Sequence, residues 1–334
     1  MQLVLNTYGL QLNQLNRCFQ VQSKTESRLI SPVRITSILI TKATNITSSA
    51  LLLAAEYNIP VVFVNSAGQP VVKTEPVLIT GVSELRKKQY AFTMHPNSVT
   101  WVIQLVLQKT EGQIANLAFW SERYKELRET FELSRISLAG SLKGLPERVN
   151  KMKDRQQILQ FLRGWEGNNA KIYWRSVAGL ALHLGWHMKG RSYKPADDEV
   201  NAILNYIYGM LYHQVQCGLA AAGLDSQLGI WHRDEFQTPS LSFDIIEPLR
   251  PGADRFLAEF LSLTEYKSEL FESDVKYGCI LSKPGRMLII PKFNGWLEEK
   301  IKMQGQVTQV KNHILDQAFR LRKEIEKTEL YEPE

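Results

Sequence analysis

The chain has 334 residues, of which 44% are hydrophobic and 22% charged, values that exclude disordered and fibrous classes and leave room for two domains. Forty Lys and Arg stand against 34 Asp and Glu, a net charge of +6. Three scattered cysteines (Cys18, Cys217, Cys279) exclude a disulfide framework and a zinc ribbon, and no apolar run approaches the roughly 20 residues of a membrane span.

Short β-rich runs at 2–6, 19–22, 35–41, 61–64, 71–72 and 77–79 are separated by turn material such as Tyr8-Gly9, Ser31-Pro32 and 66–68. One helix, over 48–57, interrupts them. The excess charge sits here. Residues 1–90 hold nine basic side chains (Arg17, Lys24, Arg28, Arg34, Lys42, Lys73, Arg86, Lys87, Lys88) against four acids (Glu26, Glu56, Glu75, Glu84), which is +5. A basic surface attracts polyanions, DNA foremost, and solubilising charge accounts for the count equally well. From residue 84 to about 280 the apolar spacing turns helical. Helices are expected at 100–107, 111–124, 125–138, 154–184 (one or two), 199–223 and from 240 onward, with a loop at 141–146. A β-like interruption at 287–290 precedes a charged helix over 307–327. The expected fold class is α+β, with a small β-rich domain over 1–85 and a larger all-helical one over 86–334. The start MQLVLNTYGL lacks a basic n-region and a cleavage site, and with reduced cysteines it points to the cytoplasm.

In FLRGWEGNNAKIYW, the residues Leu162, Glu166, Asn169 and Tyr173 share one helix face, which Leu159 extends. Gly164 and Gly167 flank the acid, and helix glycines cost about 1 kcal/mol each, so a close backbone approach is expected there. An ionised carboxylate on a core-facing stripe demands a cation or donors, and an ordinary salt bridge is the commoner answer. Downstream, His232 sits between an apolar run and a polar loop, Ser240 is placed to cap a helix, and Asp244 and Glu247 follow at i, i+3. Pro248 removes an amide and should bend the helix near Glu247. This is either half of a cation site or a surface acid pair beside a satisfied core histidine. Taken together, Glu, His and Glu or Asp suit Mg²⁺ or Mn²⁺, and such a site serves chemistry on phosphodiesters.

The same residues carry a family resemblance. NTYG at 6–9, IPVVFVNSAGQPV at 59–71, GWEGNNAKIYW, GRSYKPADDEVNAILNYIYGML, AGLDSQLGIWH and LSFDIIEPLRP, in this order, resemble the CRISPR-associated integrase of spacer acquisition, the Cas-one family. The resemblance implies metal ligands at Glu166, His232 and Glu247, with Asp244 as a supporting acid that orients His232 or a metal-bound water. It implies a sandwich-like N-terminal domain that helps dimerise and a helical catalytic domain. The implied reaction is attack of a captured DNA's 3′-hydroxyl on a phosphodiester of the repeat array. The implied partners are double-stranded DNA, a second copy of the chain and the small Cas-two protein. A stand-alone metal nuclease or a transposon-encoded relative is the alternative. Trp165, Asn168-Asn169 and Trp231 depart from the family's smaller residues, and Arg233-Asp234-Glu235 adds two acids after the histidine.

Candidate contacts to the DNA backbone are Arg86, Lys87 and Lys88, then Lys171 and Arg175 after the glutamate motif, and Arg250. Arg250 has a second reading, a pairing with Asp244 or Glu247. His183 and His187 at i, i+4 mimic a zinc pair but lack the adjacent Glu and a third ligand. The basic residues of 307–327 read as a solvated face, and Tyr173, Trp174 and Trp186 as core.

Overall fold

The computed structural model describes residues 2–35, 37–40, 43–57, 59–64, 70–74, 82–232 and 239–329. The N-terminal region runs β1 (Gln2–Leu5), β2 (Leu10–Leu15), β3 (Cys18–Gln22), β4 (Ser27–Ile30), β5 (Ser37–Ile40), β6 (Thr44–Ile46), α1 (Ser48–Glu56), β7 (Val61–Val64) and β8 (Pro70–Thr74). These strands form two four-stranded sheets, ordered β1-β5-β7-β8 and β4-β3-β2-β6. Strands β1, β5 and β7 pair in parallel, and every residue of β5 is buried, the pattern of a strand covered on both faces. Leu5, Ile38 and Val61 of the first sheet share one buried cluster with Leu12 and Phe19 of the second and with Leu53 of α1. The sandwich-like expectation is met, while the run at 77–79 lies outside the described residues. Strands β2, β4 and β6 were not expected. Their polar side chains leave only Leu12 fully inside, so they carry little apolar signal.

The larger region runs α2 (Val82–Met94), α3 (Pro96–Arg123), α4 (Arg128–Asn150), α5 (Arg155–His183), α6 (Glu199–Ala221), α7 (Ser240–Ile246) and α8 (Arg250–Ser262). There follow β9 (Phe271–Asp274), β10 (Gly278–Leu281), α9 (Lys283–Glu298), β11 (Lys300–Met303), β12 (Gln306–Gln309) and α10 (Val310–Glu326). Asp154 and Asp198 cap α5 and α6 through side-chain oxygens that accept from Gln157 and Asn201. Helix α6 is buried almost all round, with Val200, Leu204, Ile207, Leu211, Val215 and Leu219 inside, and forms the axis on which α7, α8 and α10 pack.

Several expectations need correction. The two helices expected at 100–107 and 111–124 are the single helix α3. Gly112 inside it makes room for a neighbour, since Pro251 of α8 lies 2.8 Å from the position a Cβ would take. The loop expected at 141–146 is helical. Pro146 costs α4 about 3 kcal/mol, yet buried Phe131, Leu138, Leu145 and Val149 hold both sides of it to the core. Residues 287–290 are helical too, within α9, where Ile289, Ile290, Phe293, Trp296 and Leu297 form a buried stripe. The region is mostly helical but carries two hairpins, β9–β10 and β11–β12, which helical periodicity did not reveal. Pro239 rather than Ser240 is the residue before α7, and Ser240 is fully buried.

Candidate active site

Three helices bring charged side chains to one point. Helix α3 faces the core through Val102, Leu105, Val106, Leu117 and Trp120, and Lys109 lies on the same stripe, 6% exposed. Helix α5 buries Leu159, Leu162, Asn169 and Tyr173, which leaves Glu166 on the same inward face with 25% of its side chain exposed. Lys109 Nζ lies 2.5 Å from Glu166 Oε1 and 2.6 Å from Glu247 Oε2. Glu247 opens a single 3-10 turn (Glu247–Leu249) between α7 and α8, the distortion expected of Pro248. Its Oε1 meets Arg250 Nη2 at 3.2 Å, and Arg250 also donates to Tyr212 Oη at 2.7 Å and lies over the Tyr208 ring. Burial pushes the Glu247 carboxyl up, but Arg250 and Lys109 outweigh it and hold the group at about 2.

The histidine is oriented from behind. Asp244 is fully buried, and Oδ2 accepts the backbone N–H groups of Ile230 (2.7 Å) and Trp231 (3.1 Å). Oδ1 accepts from His232 N (3.0 Å) and pairs with His232 Nδ1 at 2.6 Å. A carboxylate only accepts, so the proton of this bond belongs to Nδ1 and the lone pair is on Nε2. The ring is 37% exposed. From α5, Arg163 donates to the carbonyl of Trp231 and Arg155 to that of Ile230, so the helix carrying Glu166 also pins the segment that carries His232.

Among the described residues, no three His, Cys, Asp or Glu side chains converge as a ligand set. Two do share a cation: the Lys109 ammonium stands between Glu166 and Glu247. The donors have the right chemistry for a hard divalent cation, with two carboxylates drawn to one positive atom and the His232 imidazole close enough to act on Glu247. A buried polar layer backs the site. Tyr208 Oη donates to Asp254 Oδ1 at 2.6 Å, and Asn116 Nδ2 donates to Tyr173 Oη and to the Pro251 carbonyl. Burial pushes the Asp254 carboxyl up to about 6, against the opposing Tyr208 and Tyr173 hydroxyls.

The sequence profile of the family described as CRISPR associated protein Cas1 matches residues 3–295. The chain belongs to the Cas1 family. The CRISPR-associated endonuclease Cas1 of Korarchaeum cryptofilum is 26% identical over 340 residues, 99% of this chain and 97% of that one. Among solved structures, a casposase bound to its integration product superposes with a TM-score of 0.79 at 21% identity, over 98% of this chain and 92% of that chain. A Cas6-RT-Cas1–Cas2 complex gives 0.75 at 20% identity, over 98% of this chain and 35% of that one. At these identities the structural likenesses establish the Cas1 fold.

In this Cas1-family chain, Asp244 spends its carboxylate on His232 and its backbone, so of the two roles expected for it the structure displays the orientation of the histidine. Arg250 pairs with Glu247, not Asp244. Gly164 and Gly167 correct an expectation, since nothing lies within 4 Å of where their Cβ atoms would be and no backbone closes on them. His183 is the last residue of α5, so His183 and His187 share no helix face, and His183 faces Glu126 at 3.9 Å. Tyr173 and Trp186 are core residues, with Trp174 half-buried edge-on to Tyr173. Arg86 and Lys87 are exposed on α2, whereas Lys88 reaches the Glu326 carbonyl and Glu84. Lys171 and Arg175 are exposed on α5, and Arg233-Asp234-Glu235 lies outside the described residues. Sequence reading missed Lys109. Its signal was available: an ammonium on the apolar stripe of α3 needs a buried acid, the argument already applied to Glu166.

Proposed function

We propose that the chain is a divalent-metal-dependent DNA integrase and endonuclease of CRISPR adaptation, which joins a captured DNA to the repeat array. The observation that carries this reading is the meeting of Glu166 and Glu247, from separate helices, on a single cation in a site that also includes a histidine fixed by a buried aspartate. Membership of the Cas1 family, whose relative from Korarchaeum cryptofilum is named an endonuclease, supports it.

Glu166, His232 and Glu247 would hold Mg²⁺ or Mn²⁺. Such an ion, when bound, polarises a phosphate and lowers the pKa of an attacking hydroxyl. The protein supplies no covalent nucleophile. A new P–O bond forms from the DNA 3′-hydroxyl as the old P–O bond breaks, and the proton lost by the attacker replaces the bond lost by the leaving 3′-oxygen. Asp244 keeps the proton on Nδ1 of His232 and so directs Nε2 toward the site. Arg250, fixed by Glu247 and Tyr212, adds a positioned positive charge beside a phosphate. Arg86, Lys87, Lys88, Lys171 and Arg175 are the proposed backbone contacts. The proposed assembly is a dimer formed through residues 1–85 and bridged by the small Cas-two protein on double-stranded DNA, a partnership that the Cas6-RT-Cas1–Cas2 complex supports. The proposed compartment is the cytoplasm, and no described helix is long and apolar enough to cross a membrane.

A joining assay with Mn²⁺ or Mg²⁺ tests this. His232→Ala is expected to abolish strand joining while the protein still binds DNA, and a variant that joins as well as wild type would overturn the reading.

A further inference from the structure

We infer that Lys109 is an internal counter-cation that holds Glu166 and Glu247 together until a divalent ion takes its place. The inference rests on the metal reading of this site. Lys109 Nζ, on a side chain 8% exposed, is within 2.6 Å of both carboxylates at once, so it occupies the point on which the two acids converge. Glu247 has no other oxygen to offer, because Oε1 is held by Arg250 and Oε2 by Lys109. An ion ligated by both glutamates must therefore compete with Lys109 for Glu247 Oε2, the oxygen that faces the ammonium at 2.6 Å. An ammonium and a dication repel at such a separation, and one of them has to leave.

The lysine is suited to leaving. It is a point charge on an unbranched four-carbon stem, with none of the planar, forked bonding that fixes Arg250. Asp254, a buried carboxylate that accepts from Tyr208, lies close enough to feel its charge. In the metal-free chain the same lysine has a structural task. Glu247 and Glu166 come from different helices, and without a cation between them their like charges would push α5 away from the turn after α7. Lys109, from α3, attracts both carboxylates, offsets their mutual repulsion and joins the three elements. The cost is competition, since every metal ion that binds must first displace a well-placed ammonium.

Mn²⁺ binding to metal-stripped protein in the absence of DNA, followed by calorimetry, tests this on wild type, Lys109→Met and Lys109→Arg. Lys109→Met is expected to bind Mn²⁺ at least tenfold more tightly than wild type. Its metal-free Tm is expected to fall, and to rise more on adding Mn²⁺ than the wild-type Tm does. Lys109→Arg, which keeps the charge, is expected to bind no more tightly than wild type. Equal or weaker Mn²⁺ binding by Lys109→Met overturns the inference and leaves the metal reading intact. No binding by wild type or by Lys109→Met, with Glu166→Gln indistinguishable from both, overturns the two together. Should Lys109→Met not fold without metal, a structure of the wild type with Mn²⁺ decides: Lys109 Nζ still bonded to both glutamates overturns the inference, and Nζ moved away from them supports it.

Discussion

His232 can present a lone pair through Nε2 only while Nδ1 keeps its proton and donates it to Asp244, and the same carboxylate organises three backbone N–H groups. Asp244→Asn replaces one accepting oxygen with a donor, so at least one of these four bonds is lost. Mn²⁺ affinity and strand joining should both fall about 10- to 100-fold. A buried donor left without a partner should lower stability by about 1–3 kcal/mol, read from denaturant melts. Asp254 makes a prediction of a different kind. Its carboxyl titrates at about 6 in the folded chain and at about 3.9 in the unfolded one. The folded state holds the proton more tightly, so the stability this contributes is complete below about pH 4 and lost as pH rises through about 6. Asp254→Asn should remove that loss. Comparing denaturation of the two proteins at about pH 4 and about pH 7 should give a differential of about 2 kcal/mol.

Elements position these residues, and α3 and α8 meet where Gly112 faces Pro251. Gly112→Ala would drive a Cβ to 2.8 Å from the Pro251 ring, which has little freedom to yield. The helices must separate, at a cost of about 1–3 kcal/mol, and because Lys109 lies one turn before Gly112 the contact with Glu247 should loosen as well. Chemical denaturation measures the first effect, and the Mn²⁺ affinity of the variant the second. The elements that can be read from sequence are those with strong local signals. Asp154 and Asp198 announce α5 and α6, Pro248 announces the turn at Glu247, and Val61-Val62-Phe63-Val64 announces β7. Where local and tertiary preferences conflict, sequence misleads. The loop expected at 141–146 ends on Pro146, which is overruled by a buried stripe on either side, and the gap expected between 107 and 111 is spanned by α3. The β9–β10 and β11–β12 hairpins are short, and most of their residues stay partly exposed, so they leave almost no apolar period to detect.

At the scale of the molecule, the charge excess lies in residues 1–90, and Arg86 and Lys87 of α2 are its exposed end nearest the helical region. If these side chains contact phosphates, Arg86→Glu with Lys87→Glu should weaken binding to any DNA sequence and reduce the salt dependence of affinity by about 0.9 per lost contact. An unchanged slope would place the contacts elsewhere, with Lys171 and Arg175 next to be tested. The candidate site was legible to the extent that its parts break the rules of their own helices. Glu166 sits on an apolar face, Asp244 and Glu247 precede a proline, and each could be named from sequence alone. Their mutual placement, and the ammonium between them, depend on how α3, α5 and α7 pack, which no single helix records. That dependence has a consequence for biogenesis. The charged cluster is drawn from positions 109, 166 and 247, with the histidine at 232, so a ribosome must release about three-quarters of the chain before the last of these residues exists. Until α3, α5 and the turn after α7 have collapsed on one another, there is no centre to fire. The proposed activity on DNA would therefore be absent while the chain is being made, and absent again from any partly unfolded copy.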